Sequence, residues 1–143
     1  MGIKRYTATK DNTITNAFKQ NLITRGTGSN MGYSDVTEIF SIYGQAVVQG
    51  TGPNAGKNTQ ELSRVLYEFP VSGSSTRQIK YDRTQGTLPE SGSVNFYLKI
   101  FNARHGHTLP LDAKYVIQAV SQSWSEGTGL DMEEYTNLGS SNW

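Results

Sequence analysis

Along SVNFYLKIFNA, Ser93 to Ala103, the residues Val94, Phe96, Leu98 and Ile100 alternate with Asn95, Tyr97, Lys99 and Phe101. A period of two over this length predicts a strand with one plainly apolar face. SRVLYEFPV, Ser63 to Val71, sends Val65, Tyr67, Phe69 and Val71 to one side. Leu62 and Leu66 mark its other side as partly covered, and Pro70, which has no N–H to donate, ends pairing nearby. DVTEIFSIYG, Asp35 to Gly44, and KYVIQAVSQSW, Lys114 to Trp124, are apolar on both faces. That pattern predicts strands in the middle of packed layers. NTITNAF, Asn12 to Phe18, and AVVQ, Ala46 to Gln49, carry fainter strand patterns. SSTRQIKYD, Ser74 to Asp82, reads as a helical turn, with Ser74 or Ser75 as its cap and Ile79 as its inward anchor. The rest reads as loop.

Many short strands joined by turns suit a chain that is 35% hydrophobic and only 17% charged, the remainder rich in Gly, Ser, Thr and Asn. Three loops carry the same tripeptide, Gly26-Thr27-Gly28, Gly50-Thr51-Gly52 and Gly127-Thr128-Gly129. Beside Asn30 and Asn54 these read as turn punctuation, not as a structural repeat. The expected fold is all-β: an antiparallel β-sandwich, jelly-roll-like, with long loops and one short helical turn. The 143 residues have the length of one domain, residues 1–143, with 121–143 as an extended contact tail and the sandwich incomplete at that end.

Thirteen bases against twelve acids leave a net charge of +1, so no overall field draws the chain to nucleic acid or to an anionic membrane. The charge is uneven, however. Lys4, Arg5, Lys10, Lys19 and Arg25 stand near the start against Asp11 alone, whereas Glu126, Asp131, Glu133 and Glu134 close the chain with no base among them. Two solvated segments are the plain reading; head-to-tail attraction between copies is the sharper one. With no cysteine, stability must come from packing or assembly. No signal segment opens the chain, no apolar run reaches the length of a membrane span, and Tyr6 stands where N-myristoylation wants Ser or Thr.

Catalytic motifs are approached but not met. GPNAGKNT, Gly52 to Thr59, has three residues between its glycines and Asn58 after Lys57, whereas a Walker A loop needs four and a hydroxyl. His105 and His107 would share a face in an extended segment, with Asp112 the nearest third ligand, but glycine between them and TLP after them favour a turn. No metal or other cofactor is expected. No serine sits in a G-x-S-x-G elbow. The clustered tail acids on a Gly-rich segment do not face each other as a glycosidase pair must, and DMEEY lacks the spacing of a calcium loop. No catalytic residue is assigned, and an enzyme is not expected.

ATKDNTITN (Ala8 to Asn16), SNMGYSDVTEIFSIYG (Ser29 to Gly44), ELSRVLYEFPV (Glu61 to Val71), VNFYLKIFNA (Val94 to Ala103) and YVIQAVSQSWSEG (Tyr115 to Gly127) follow one another in the chain. In that order they resemble the segments of the DNRLRE-type β-sandwich domain: D-x-x-I near the start, an Asn-x-Gly turn before a strand, R-x-L-x-x-F, an alternating apolar strand, and W-x-E-G. The resemblance implies an extracellular or particle-bound β-sandwich, in some members tied to polysaccharide binding or surface attachment. With FSIYGQ and the closing WSEGTGLDMEEYTNLGSSNW, the chain looks most like domains in structural proteins of tailed phages, especially marine ones. That implies a virion component assembled in the host cytoplasm, with other virion proteins and copies of itself as partners. One departure stands out: the family usually continues past W-x-E-G into late strands with an aspartate-valine-threonine step and another tryptophan. Either the sequence is part of a longer protein, or a neighbouring subunit supplies the missing strands to an open edge.

Trp124, at a strand end, is expected to cap a core that contains Phe69, Phe96, Leu98 and Ile100. Leu130, Met132, Tyr135, Leu138 and Trp143 have no spacing that builds a core of their own, so they should lie across something already folded. That something is either this domain's own second sheet or another subunit, and Trp143 is the preferred subunit contact. Tyr33, Tyr43, Tyr81 and Tyr97 form the aromatic supply for an alternative role, glycan binding on a host-recognition fibre.

Overall fold

The computed structural model describes residues 2–71, 78–106, 112–133 and 140–143. Its regular structure is mostly strand: β1 (Lys10–Thr15), β2 (Ser41–Val47) and β3 (Asn58–Glu68), followed by the helix α1 (Ile79–Thr84) and a 3-10 turn over Ser91–Ser93. The three strands form one antiparallel sheet in the order β1-β3-β2. β3 is long enough to serve two partners at different heights. Its second half pairs with β1, from Thr15 opposite Ser63 to Lys10 opposite Glu68. Its first half pairs with β2, from Ser41 opposite Leu62 to Val47 opposite Asn58, with a break in register after Tyr43. Gly44 sits in that break at φ 76°, a left-handed conformation that a residue with a Cβ rarely adopts.

Strand alternation assigns the two faces of this sheet. Even-numbered residues of β1 and β3 share one face, where Ile14 is buried opposite Arg64. The tail lies over it, with the Asn12 amide donating to the Ser141 carbonyl at 3.2 Å. On the odd face the segment before β2 lies across both strands. The Glu38 N–H donates to Thr13 Oγ1 at 3.0 Å, the Phe40 N–H donates to Ser63 Oγ at 2.8 Å, and the hydroxyls of Thr37 and Tyr67 meet at 2.7 Å. Tyr67 and Phe69 tilt against each other with ring centroids 6.4 Å apart, and both are half-buried.

The apolar core is small. Among the described residues the buried hydrophobic side chains are Ile14, Met31 and Leu88, outnumbered by Asn12, Thr13, Thr15, Ser29, Asn30, Thr59, Glu61 and Asp82. Groups of this polarity are buried at low cost only when hydrogen-bonded, so the interior is held by specific bonds more than by apolar area. The area confirms it. A self-contained monomer of 15.8 kDa exposes about 7,300 Å², whereas this chain exposes 11238 Å².

That excess corrects the expectation for the two clearest apolar segments. Neither 94–103 nor 114–124 forms a strand. Phe96, Leu98 and Ile100, expected in the core, are exposed, because no neighbouring strand among the described residues offers them a ladder or a facing layer. The expected mid-layer strand from Asp35 begins only at Ser41 and is an edge strand with exposed Ile42 and Tyr43. The helical turn starts at Ile79, four or five residues after the expected caps, with Gln78 at the cap position, where its side chain makes no capping hydrogen bond. Ser74 and Ser75 lie outside the described residues. Trp124 is half-buried at the rim, as is Phe69. A second sheet facing the first is not formed among the described residues; the tail and residues 36–40 cover the two faces instead.

Candidate interaction surfaces

The outer edge of β1 is closed by the tail. Asn16 N–H donates to the Leu62 carbonyl at 3.2 Å, so by alternation Asp11, Thr13 and Thr15 present their backbone groups away from β3. Glu126 takes the first of them: its carboxylate accepts the Asp11 N–H at 2.8 Å. The acid is held at that point by the seam between residues 26–33 and 126–132. Asn30 Oδ1 accepts the Gly129 N–H at 2.8 Å, and the Gly129 carbonyl accepts the Tyr33 N–H at 2.8 Å. Asn12 Oδ1 accepts the Met31 N–H at 2.9 Å, which ties the seam to β1. The two backbones run so close that a Cβ on Gly32 would overlap the Glu126 carbonyl and one on Gly129 the Asn30 carbonyl. The Asn-x-Gly and Gly-Thr-Gly stretches, read from sequence as turns, are here the two halves of a clasp.

Among the described residues the basic start and the acidic tail meet through hydrogen bonds and not through an ion pair. Lys19 Nζ donates to the Glu133 carbonyl, and the Gln20 N–H to its carboxylate. Lys10 bridges to Glu68 at 2.9 Å and lies 5.8 Å from the centre of the Trp124 ring. One contact runs the other way: burial, with the neighbouring Glu126 carboxylate, pushes the Asp11 carboxyl above its ordinary range. Trp143, expected as a subunit contact, lies against its own sheet and is half-buried there. Its ring stacks on the Arg64 guanidinium at 3.9 Å and its backbone N–H donates to the Thr27 carbonyl at 3.1 Å. Arg64 projects from the face that the tail covers, and a planar cation offers the indole a better surface than water does. Met132 is half-buried in the same clasp, Leu130 is exposed, and Tyr135 and Leu138 lie outside the described residues.

Two polar clusters were not singled out from sequence. Glu61 is fully buried on β3, where its carboxylate accepts the Phe18 N–H at 2.9 Å and the Thr59 hydroxyl at 3.1 Å. Asp82, at the centre of α1, anchors the start of the chain: Lys4 Nζ and the Tyr6 hydroxyl each donate to it at 2.7 Å. These two bonds hold the Asp82 carboxyl below its ordinary range, while burial and the bond to Asp82 push the Tyr6 hydroxyl up to about 12. Nothing local announces either partnership, since Lys4 and Tyr6 are distant from Asp82 in sequence.

Among the described residues no group of three His, Cys, Asp or Glu side chains is gathered for a metal ion. The hollow at Ser123, Trp124, Ser125 and Ser141 is open and lined by no ionisable side chain. No helix among the described residues is long and apolar enough to cross a membrane. What the surface does present is apolar area. Phe96 is 60% exposed, Phe101 82%, Val116 85% and Ile117 75%, with Tyr97, Leu98, Ile100, Tyr115 and Val120 exposed beside them. No family model, no curated protein and no solved structure matches the chain.

Proposed function

We propose that the protein is a non-enzymatic structural component of a tailed-phage virion, acting through protein–protein contacts as a head decoration, neck or tail attachment element. In this reading the domain is a β-sandwich whose second layer forms on assembly. The observation that carries the contact role is the apolar exposure of 94–101 and 115–120. Nine apolar side chains stand exposed on these two segments, and large exposed apolar surface marks sites of protein contact. The virion assignment itself rests on the ordered resemblance of five segments to the DNRLRE-type domain. Purified particles tested for this chain by mass spectrometry and imaging should contain it at one symmetric copy number. A protein that stays monomeric and never accompanies particles would overturn the proposal.

A second reading, glycan binding on a host-recognition fibre, draws support from the exposure of Tyr33, Tyr43 and Tyr97; Tyr81 is half-buried. A glycan array decides it, and loss of a signal on Tyr43→Ala would place the sugar.

A further inference from the structure

We infer that 94–101 and 115–120 are donor segments that complete the sheet of a second copy of this chain at the open edge of β2. The inference rests on the assembly reading above and names its partner. The acceptor is defined by hydrogen-bond parity. Ser63 N–H donates to the Phe40 carbonyl at 3.1 Å, so Phe40 and Ile42 face β3 while the backbone groups of Ser41 and Tyr43 point outward from the edge. The tail closes the edge of β1, whereas β2 ends the sheet. Ile42 and Tyr43 stand exposed along it, with Val36 and Ile39 exposed in the segment before it, and the bulge at Gly44 confines the pairing stretch to the residues before it.

Three observations select a second copy as the occupant. Among the described residues the chain carries both halves of the contact, an acceptor edge with no strand on it and apolar segments patterned as strands that pair with none. The charges are complementary: residues 91–106 include Lys99 and Arg104 and no acid, while residues 26–56 include Asp35 and Glu38, both exposed, and no base. The areas agree as well. Exposed apolar side chains on the two segments offer on the order of 1,000 Å², against about 800 Å² per partner in a stable interface. The excess over a self-contained monomer is about 4,000 Å², more than one such contact removes. Each copy therefore donates to one neighbour and accepts from another, a head-to-tail arrangement that closes into a ring or extends.

The test uses the full chain in solution, by light scattering and native mass spectrometry. Wild type should be oligomeric. Ser41→Pro, which removes an outward N–H without touching the β3 ladder, and Leu98→Asp, which places a charge on the donor face, should each weaken association about tenfold or more. Mixed together, the two variants should form a heterodimer, since one keeps its donor and the other its acceptor. Circular dichroism checks that both stay folded. As an arm independent of these substitutions, Tyr43→Cys mixed with Leu98→Cys should give a disulfide-linked heterodimer, because the chain has no cysteine of its own. A wild type that is oligomeric, with Ser41→Pro unchanged and no cross-link, overturns the exchange while leaving the assembly reading in place. A wild type that is monomeric in solution overturns the exchange, and its absence from particles overturns the assembly reading.

Discussion

The Glu126 carboxylate accepts the backbone N–H of Asp11 at 2.8 Å across 115 positions of sequence, and so closes the outer edge of β1 with a side chain instead of a strand. An edge strand left bare is a template for uncontrolled pairing, and an inward-pointing charge at its ladder is one way to block it. Removing the acceptor, as in Glu126→Ala, should cost about 1–2 kcal/mol of stability. Glu126→Gln keeps a carbonyl at the same place and should recover most of that loss in urea unfolding. Equal losses for both variants would mean that the bond contributes nothing.

Two aspartates should respond to pH in opposite directions. Asp82 is held below its ordinary value of 3.8 by Lys4 and Tyr6, so its stabilising contribution is present above that value and is lost as pH falls through the lower folded one. Asp82→Asn should therefore lower Tm at pH 7, and the gap to wild type should close in acid. Asp11 is raised by burial and by Glu126, so its charged form is disfavoured in the fold. Asp11→Asn should raise Tm at pH 7, with the gain disappearing as pH falls below about 4, where both folded and unfolded groups are protonated. Melting curves across this range check both signs.

Tyr6 sets an alkaline boundary. Its hydroxyl, ordinarily near 10, is pushed up to about 12 by burial and by donation to Asp82. The stability tied to that proton is complete below 10 and is lost as pH rises through about 12. Phenolate absorbance should show a late step belonging to Tyr6, and Tyr6→Phe should remove it. A titration that Tyr6→Phe leaves unaltered would detach Tyr6 from Asp82.

The indole of Trp143 on the guanidinium of Arg64 makes the last residue a structural element. Trp143→Ala should cost about 2 kcal/mol, combining a half-buried aromatic with a cation–π contact. Arg64→Ala should cost less than that and shift the tryptophan fluorescence toward that of a solvated indole. Fluorescence-detected unfolding of both variants reads the pair.

The clasp should tolerate no added methyl group. Gly32→Ala meets the Glu126 carbonyl, and because backbone stands on both sides the strain has no side chain to relax into, so about 3 kcal/mol should be lost. Gly52→Ala has open space around it and serves as the neutral control.

Period-two alternation by itself determined the class of this protein and marked which segments are strand-like. It located the second half of β3 and most of β2, and read 94–103 and 114–124 as apolar ribbons. Alternation is a local property of the chain, and a strand is not: its hydrogen bonds go to residues far away, so the pattern states competence to pair without naming a partner. Tertiary structure alone decided that β1 and β3 pair while 94–103 stays bare, that the side chains of Asn12 and Asn30 act as clamps, and that Trp143 lies on Arg64. It also decided the state of each edge, because which backbone groups of β1 and β2 point outward depends on register, and register is set by every contact in the sheet at once.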